Sequence, residues 1–217
     1  MENTSQTLSV RQQKIIAISA FTAKGDIEQM KISFAAGLQS GLTVNEINEE
    51  LAHLYAYCGF AASVRGTNIF KSVVTAREAE GIKTEYGRTA GNIEDKKSKY
   101  ERGEAAQEIV TGMSAAKLKE AFSFNAVLDV FLKEHLFADI FGSDLLSFTD
   151  RELITVSALV AMREPLVLPH FTGALNVGIS EAQLKELLLF IESAVGSDEA
   201  EEGRRIFEQV LKDRNAA

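Results

Sequence analysis

Tryptophan is absent from this chain of 217 residues, cysteine occurs once and proline twice. The single thiol, Cys58, excludes an internal disulfide, a CxxC redox pair and a cysteine-rich zinc site. With so little proline, long helices meet few obligatory breaks. No stretch alternates apolar and polar residues over a useful length, so strands are not expected. The N-terminus, MENTSQTLSVRQQ, lacks a basic segment followed by an apolar one, and the apolar run Ile15–Ala23 is too short to cross a bilayer. A net charge of −8 argues against nucleic acid and anionic membrane as partners, although a local basic pocket for a small anion remains compatible with it. These features place the chain in the cytoplasm as a helix-rich globular protein.

What the sequence does contain is a repeat. The stretch from Leu8 to Phe70 returns between Leu146 and Phe207, with a register of 138 at its start and 137 at its end. Ser9/Ser147, Ala20/Ala158, Phe34/Phe171, Gly41/Gly178 and Gly59/Gly196 are among the identical pairs. A fixed internal period marks one structural unit used twice, and two such units pack about a pseudo-twofold axis. The expected organisation is a first, truncated unit over 1–77, a linker over 78–97, and a fuller unit over 98–217. The linker region is rich in Gly, Lys, Glu and Thr. The fuller unit begins with two extra helical stretches carrying the apolar stripe Phe122, Phe124, Val127, Leu128, Phe131, Leu132 and Leu136.

Within each unit the signals are those of helices. One helix should run from near Asp26 to Ser40 and stop at Gly41. Thr43 with Glu46, and Ser180 with Gln183, form capping-box pairs that open helices Glu46–Tyr57 and Ala182–Ala194, which end at Gly59 and Gly196. A further helix follows in each unit, through Phe70 and through Phe207. The fold class expected is all-α.

The two copies differ most at polar positions. His170 lies in the apolar segment Glu164-Pro-Leu-Val-Leu-Pro-His-Phe, and its counterpart is Ser33. It reads either as a core histidine satisfied by a neighbour or as a general acid/base, since imidazole titrates near working pH. If Pro165 starts the helix, Pro169 should leave a carbonyl unpaired beside His170. Arg151 and Glu152 open a helix, where Glu favours the positive dipole end. Arg163, at the other end, either caps carbonyls or clamps a substrate carboxylate. In the first copy His53 and Tyr57 share a helix face and precede Cys58, whereas the second copy has Phe190 and Ala194 there. Complementary retention of this kind is what a composite site between the copies would produce; independent drift would produce it too.

These residues resemble the carboxymuconolactone decarboxylase family, of the AhpD-like fold. The second copy supplies Arg151-Glu152-Leu153, Thr155, Ala158, Ala161, Arg163-Glu164, His170, Ala174-Leu175 and Gly178-Ile179-Ser180; the first supplies Gly41-Leu42-Thr43, Glu46-Ile47 and Tyr57-Cys58-Gly59-Phe60. The chain departs from the family at Ala194-Val195-Gly196-Ser197-Asp198, at Ser33 and at Gln13-Lys14, and it lacks the CxxCxxxH stretch of the thiol-peroxidase branch. The resemblance implies a lyase without cofactor that decarboxylates a small carboxylated lactone or related cyclic acid. In it His170, Glu152 and His53 are the catalytic residues, and Arg163, Arg151, Tyr57 and Cys58 contact the substrate. A peroxidase-like antioxidant using Cys58 and a non-catalytic helical assembly protein are the alternatives. The resemblance also implies homo-oligomers, a trimer of this chain making a pseudo-hexameric ring.

Overall fold

The computed structural model describes residues 7–92 and 96–216, and among them there are helices and turns but no strand. Two helices of 15 residues form the centre, α1 (Val10–Lys24) and α7 (Phe148–Met162). They pack on one another over their length. Ile15–Thr22 of α1 and Asp150–Ala161 of α7 are buried on all sides, so these stretches are mostly apolar around their whole circumference, and the polar residues among them, Arg151, Glu152 and Thr155 included, are buried as well.

Around this pair pack α2 (Ile27–Gln39), α3 (Val44–Ala79), α8 (Val167–Asn176), α9 (Glu181–Ala194) and α10 (Ser197–Ala216). A second cluster, of α4 (Lys99–Thr111), α5 (Ala115–Ala121), α6 (Ala126–Val130) and a π-helix from Phe131 to Phe141 running on from α6, joins it through α8 and α3. Local chemistry starts and stops them. Ser9, Thr43, Ser98, Ser147 and Ser180 each close a capping box, with Gln12, Glu46, Glu101, Asp150 and Gln183. Losing one such cap costs a helix about 1 kcal/mol. Gly41 and Gly178 both take φ 95°, and the next residue closes the turn, Leu42 N–H onto Gly37 O and Ile179 N–H onto Ala174 O. The ring pairs Phe34–Phe70 and Phe171–Phe207 sit 5.0 and 4.9 Å apart at matching places in the two halves. Burying each such ring is worth roughly 1.5–3 kcal/mol.

As expected, the helix that starts at Val44 is interrupted at Gly59, which takes φ 78° and ψ 162°, a conformation open to glycine, and a second helical segment runs on to Ala79. Three features differ from the sequence reading. Pro169 is the third residue of α8, where a backbone N–H has no intrahelical partner, so it neither bends the helix nor orphans a carbonyl. The presumed linker is fastened down. Glu85 and Tyr86 carbonyls accept the N–H groups of Val44 and Asn45 at the start of α3, and Asp144 takes Arg88 and the Gly91 N–H. Gly87 passes so near the Thr43 cap that a Cβ would lie 2.5 Å from its hydroxyl oxygen. Finally, the extra segment holds a π-helix, whose wider turn leaves no mark in the apolar spacing.

That π-helix packs on α4, and the contact is set by Gly103. A Cβ there would fall 1.8 Å from the Lys133 carbonyl oxygen, a backbone atom that cannot swing aside. Beneath it the fully buried Lys133 ammonium donates to Asp129 (2.6 Å) and to the Tyr100 hydroxyl (2.9 Å). Replacing Gly103 by Ala is therefore expected to destabilise the protein by about 2–4 kcal/mol, more than any helix-propensity gain returns. Urea unfolding of the variant against the parent measures this.

Candidate functional site

Glu49, His53 and Tyr57 recur every four residues on α3, which places them on one face of that helix. That face meets the first turns of α7, which carry Arg151, Glu152 and, one turn on, Thr155. From the other side α8 contributes His170. Glu152 fits between the helices because Gly173 of α8 leaves room for it; a Cβ at 173 would touch its carboxyl carbon at 3.3 Å.

The inner part of this cluster is a hydrogen-bond network that satisfies all but the Nε–H of Arg151. The Arg151 guanidinium is fully buried and donates to Glu49 (2.7 Å), to the Ser143 carbonyl (3.0 Å) and to His53 Nδ1 (3.4 Å). An arginine only donates, so His53 Nδ1 must accept, and its Nε2–H donates to Thr155 Oγ1 at 2.8 Å. Thr155 passes its own proton to the Arg151 carbonyl at 2.9 Å. Burial holds the His53 pKa well below its ordinary value, and the nearby Arg151 and His170 charges act the same way. His53 is thus a neutral ring with both nitrogens engaged. The expectation that it works as an acid or base gives way to a role in holding the site together.

The outer part is different. His170 Nδ1 lies 3.1 Å from a Glu152 carboxylate oxygen, and the carboxylate is fully buried while the ring is partly exposed. Glu152 accepts from Nδ1–H, which leaves Nε2 as the ring nitrogen that this contact does not engage. The Tyr57 ring meets His170 edge-on with centroids 5.2 Å apart, and lies 5.3 Å from the His53 ring. Its hydroxyl is buried and has no hydrogen-bond partner of ordinary geometry, although Thr155 and Glu152 are close enough to affect its titration. Burial first, then the Glu152 charge, raises the Tyr57 pKa, so the phenol keeps its proton.

Two expected residues stand apart. Arg163 ends α7 in the left-handed region, φ 58°, about 18 Å along the helix from Arg151. It is exposed and faces Asp198 at 3.9 Å, so it has no part in this cluster. Cys58 follows Tyr57 but is half-buried among apolar side chains, and burial pushes its thiol up to about 11. Arg151 is in the site but already carries Glu49 as its counter-ion. Glu49 and Thr155 are the members that sequence reasoning left out as site residues. The spacing of Glu49 to His53 and of Arg151 to Thr155, four residues each, was the signal for both.

Residues 126–209 match the model of the carboxymuconolactone decarboxylase family, so this part of the chain is similar to that family. Arg151, Glu152, Thr155 and His170 fall inside the match, while Glu49, His53 and Tyr57 come from the preceding half. The all-helical architecture agrees with the AhpD-like bundle. No curated protein matches the chain.

One turn before His53, Glu50 is buried and accepts the Ser19 hydroxyl at 2.7 Å. Burial raises its pKa well above the usual carboxylate value, with the Asp150 charge adding to the effect and Ser19 opposing it. A raised carboxyl is protonated in the folded state while the unfolded chain ionises above about pH 4.5, so stability contributed below that pH is lost as pH rises toward the folded pKa. Glu50→Gln should therefore stabilise the protein by about 1–2 kcal/mol at pH 7 and by nothing measurable at pH 4. Thr155→Val should cost about 1–3 kcal/mol at both pH values, because it strands His53 Nε2–H. Unfolding curves of both variants at the two pH values separate these effects.

Proposed function

We propose that this chain is a cofactor-free acid–base enzyme of the lyase type, decarboxylating a small carboxylated lactone or related cyclic acid with His170 as the proton-transfer group. The observation that carries the reading is the buried Glu152 carboxylate fixing the orientation of a partly exposed imidazole, an arrangement that leaves Nε2 to react. The family match over residues 126–209 supports the same class of chemistry by analogy.

In this reading the bond to the departing carboxylate breaks and its electron pair delocalises through the adjacent double bond into the lactone carbonyl. Carbon dioxide leaves, and a dienolate remains. His170, as imidazolium, delivers the Nε2 proton to carbon and recovers one from solvent. Glu152 stays ionised throughout and holds the ring. Tyr57 brings an uncommitted hydroxyl to the place where the lactone oxygen gains charge. His53, Thr155, Arg151 and Glu49 keep α3 and α7 in register around the reacting groups.

A thiol peroxidase using Cys58 is disfavoured, since a half-buried thiol titrating near 11 holds little thiolate at neutral pH. We also read residues 1–77 and 98–217 as two copies of one unit, assembled in the cytoplasm as a trimer of tandem chains. Among the described residues no helix is long and apolar enough to cross a membrane, which is compatible with that location.

The test is carbon dioxide release from carboxymuconolactone in the presence of EDTA. His170→Ala should lower kcat by about 10²–10⁴-fold and Glu152→Gln by a smaller factor, with Cys58→Ser near the parent rate. Turnover that survives His170→Ala, or that disappears with Cys58→Ser, would sink the assignment.

A further inference from the structure

One groove occurs in both halves of the molecule, and the chain fills it in one of them. In the first half it lies between the segments of α3 before and after Gly59. Phe70 and Val74 line it, with Asn48, Thr67 and Lys71, around a cavity of about 310 Å³. The chain turns at Gly81 after α3 and passes along this groove. The Glu85 and Tyr86 carbonyls accept the Val44 and Asn45 N–H groups, both at 3.0 Å, and the Asn45 amide reaches the Gly87 and Arg88 carbonyls. The Tyr86 ring lines the cavity, and its hydroxyl donates to Glu78. An extended strap thus supplies backbone acceptors to a helix start and one aromatic side chain to an apolar hollow.

In the second half the same positions, 137 residues on, line a cavity of about 280 Å³. Phe207 and Leu211 stand in the places of Phe70 and Val74, and Lys185, Arg204 and Glu208 in those of Asn48, Thr67 and Lys71. Every residue lining this cavity belongs to α9 or α10, so among the described residues no strap runs through it. Val44 is buried beside the strap and Asn45 half-buried, whereas Glu181 and Ala182, their counterparts at the start of α9, are exposed. Leu189 on the rim is 60% exposed. The rim charge differs too. Where the strapped groove has the neutral Asn48 and Thr67, the open one has Lys185 and Arg204, paired with Glu181 (3.6 Å) and Glu192 (2.6 Å) on the surface. Surface pairs of this kind are weak and give way readily to another carboxylate.

We infer that the open groove on α9 and α10 docks an extended segment of a partner protein, one bearing an aromatic residue beside a carboxylate, as Glu85-Tyr86 does in the filled groove. The inference rests on the correspondence of the two halves and is independent of the decarboxylase reading. The aromatic ring packs on Phe207 and Leu211, the carboxylate meets Lys185 or Arg204, and backbone carbonyls reach the start of α9. A second copy has no such strap to spare. Its Glu85-Tyr86 segment is bonded to its own α3, and Asp144 holds Arg88 and the Gly91 N–H a few residues on.

The probe is the acetylated and amidated peptide of residues 82–88, Ile-Lys-Thr-Glu-Tyr-Gly-Arg, added to the full chain isotope-labelled in its Leu and Val methyl groups. Tethering gives the native strap a millimolar effective concentration, so the free peptide is titrated into that range. The Leu188, Leu189 and Leu211 methyl signals should move and saturate, while those of Val44 and Val74 in the filled groove stay in place. A Tyr86→Ala peptide should bind at least about tenfold more weakly, and a Glu85→Lys peptide at least about threefold. Leu189→Glu in the protein, at an exposed position, should weaken binding at least about threefold. No movement, movement centred on Val44 and Val74, or undiminished binding by either altered peptide or by Leu189→Glu overturns the inference. If the same Leu signals move with protein concentration alone, a second copy fills the groove and the inference falls as well.

Discussion

A fully buried guanidinium is the most demanding group a core can hold, and Arg151 shows what this one is organised to satisfy. Its donors reach α3 through Glu49 and His53 and the turn before α7 through the Ser143 carbonyl. Removing a buried charge from its partners costs several kcal/mol, so the helices bearing those partners are not free to slide. The matching position in the first half is Gln13, which reaches Glu186, the counterpart of Glu49, with a neutral amide at 3.3 Å. One half of the molecule thus uses an ion pair where the other uses an ordinary hydrogen bond. The candidate site lies on the ion-pair side.

That placement divides the two histidines by physical state. His53 is inside the network, where an arginine on one nitrogen and a threonine on the other leave no place for a proton. His170 is at the edge, where a carboxylate engages one nitrogen and the other nitrogen is uncommitted. An enclosed inner ring and a partly exposed outer ring, with Tyr57 between them, is an arrangement already assembled without substrate.

Much of the helical layout was legible because short-range chemistry encodes it. Thr43 with Glu46 and Ser180 with Gln183 announce the starts of α3 and α9, and Asp26 and Gly41 bracket α2, at nearly their observed bounds. The π-helix escaped notice because its apolar residues fit an α-helical stripe equally well, and the choice between them is made by packing against Gly103. In the site, His170, Glu152, Tyr57 and His53 could be singled out from a comparison of the two copies. Their roles could not, since the difference between His53 and His170 comes from Arg151 and Thr155 approaching one ring and Glu152 the other, contacts made across about a hundred residues of chain. Arg163 misled for the same reason: residue type suggests an anion clamp, and only the length of α7 shows how far away it stands.

The backbone at Arg163 has its own bearing on how this molecule came to be as stable as it is. Its counterpart in the first half is Gly25, which takes the same left-handed helix end at φ 73° with no side chain to object. An arginine in that conformation carries roughly 1 kcal/mol of strain, at an exposed position remote from His170. A glycine there would release that strain, so the end of α7 is held below the stability its backbone conformation permits.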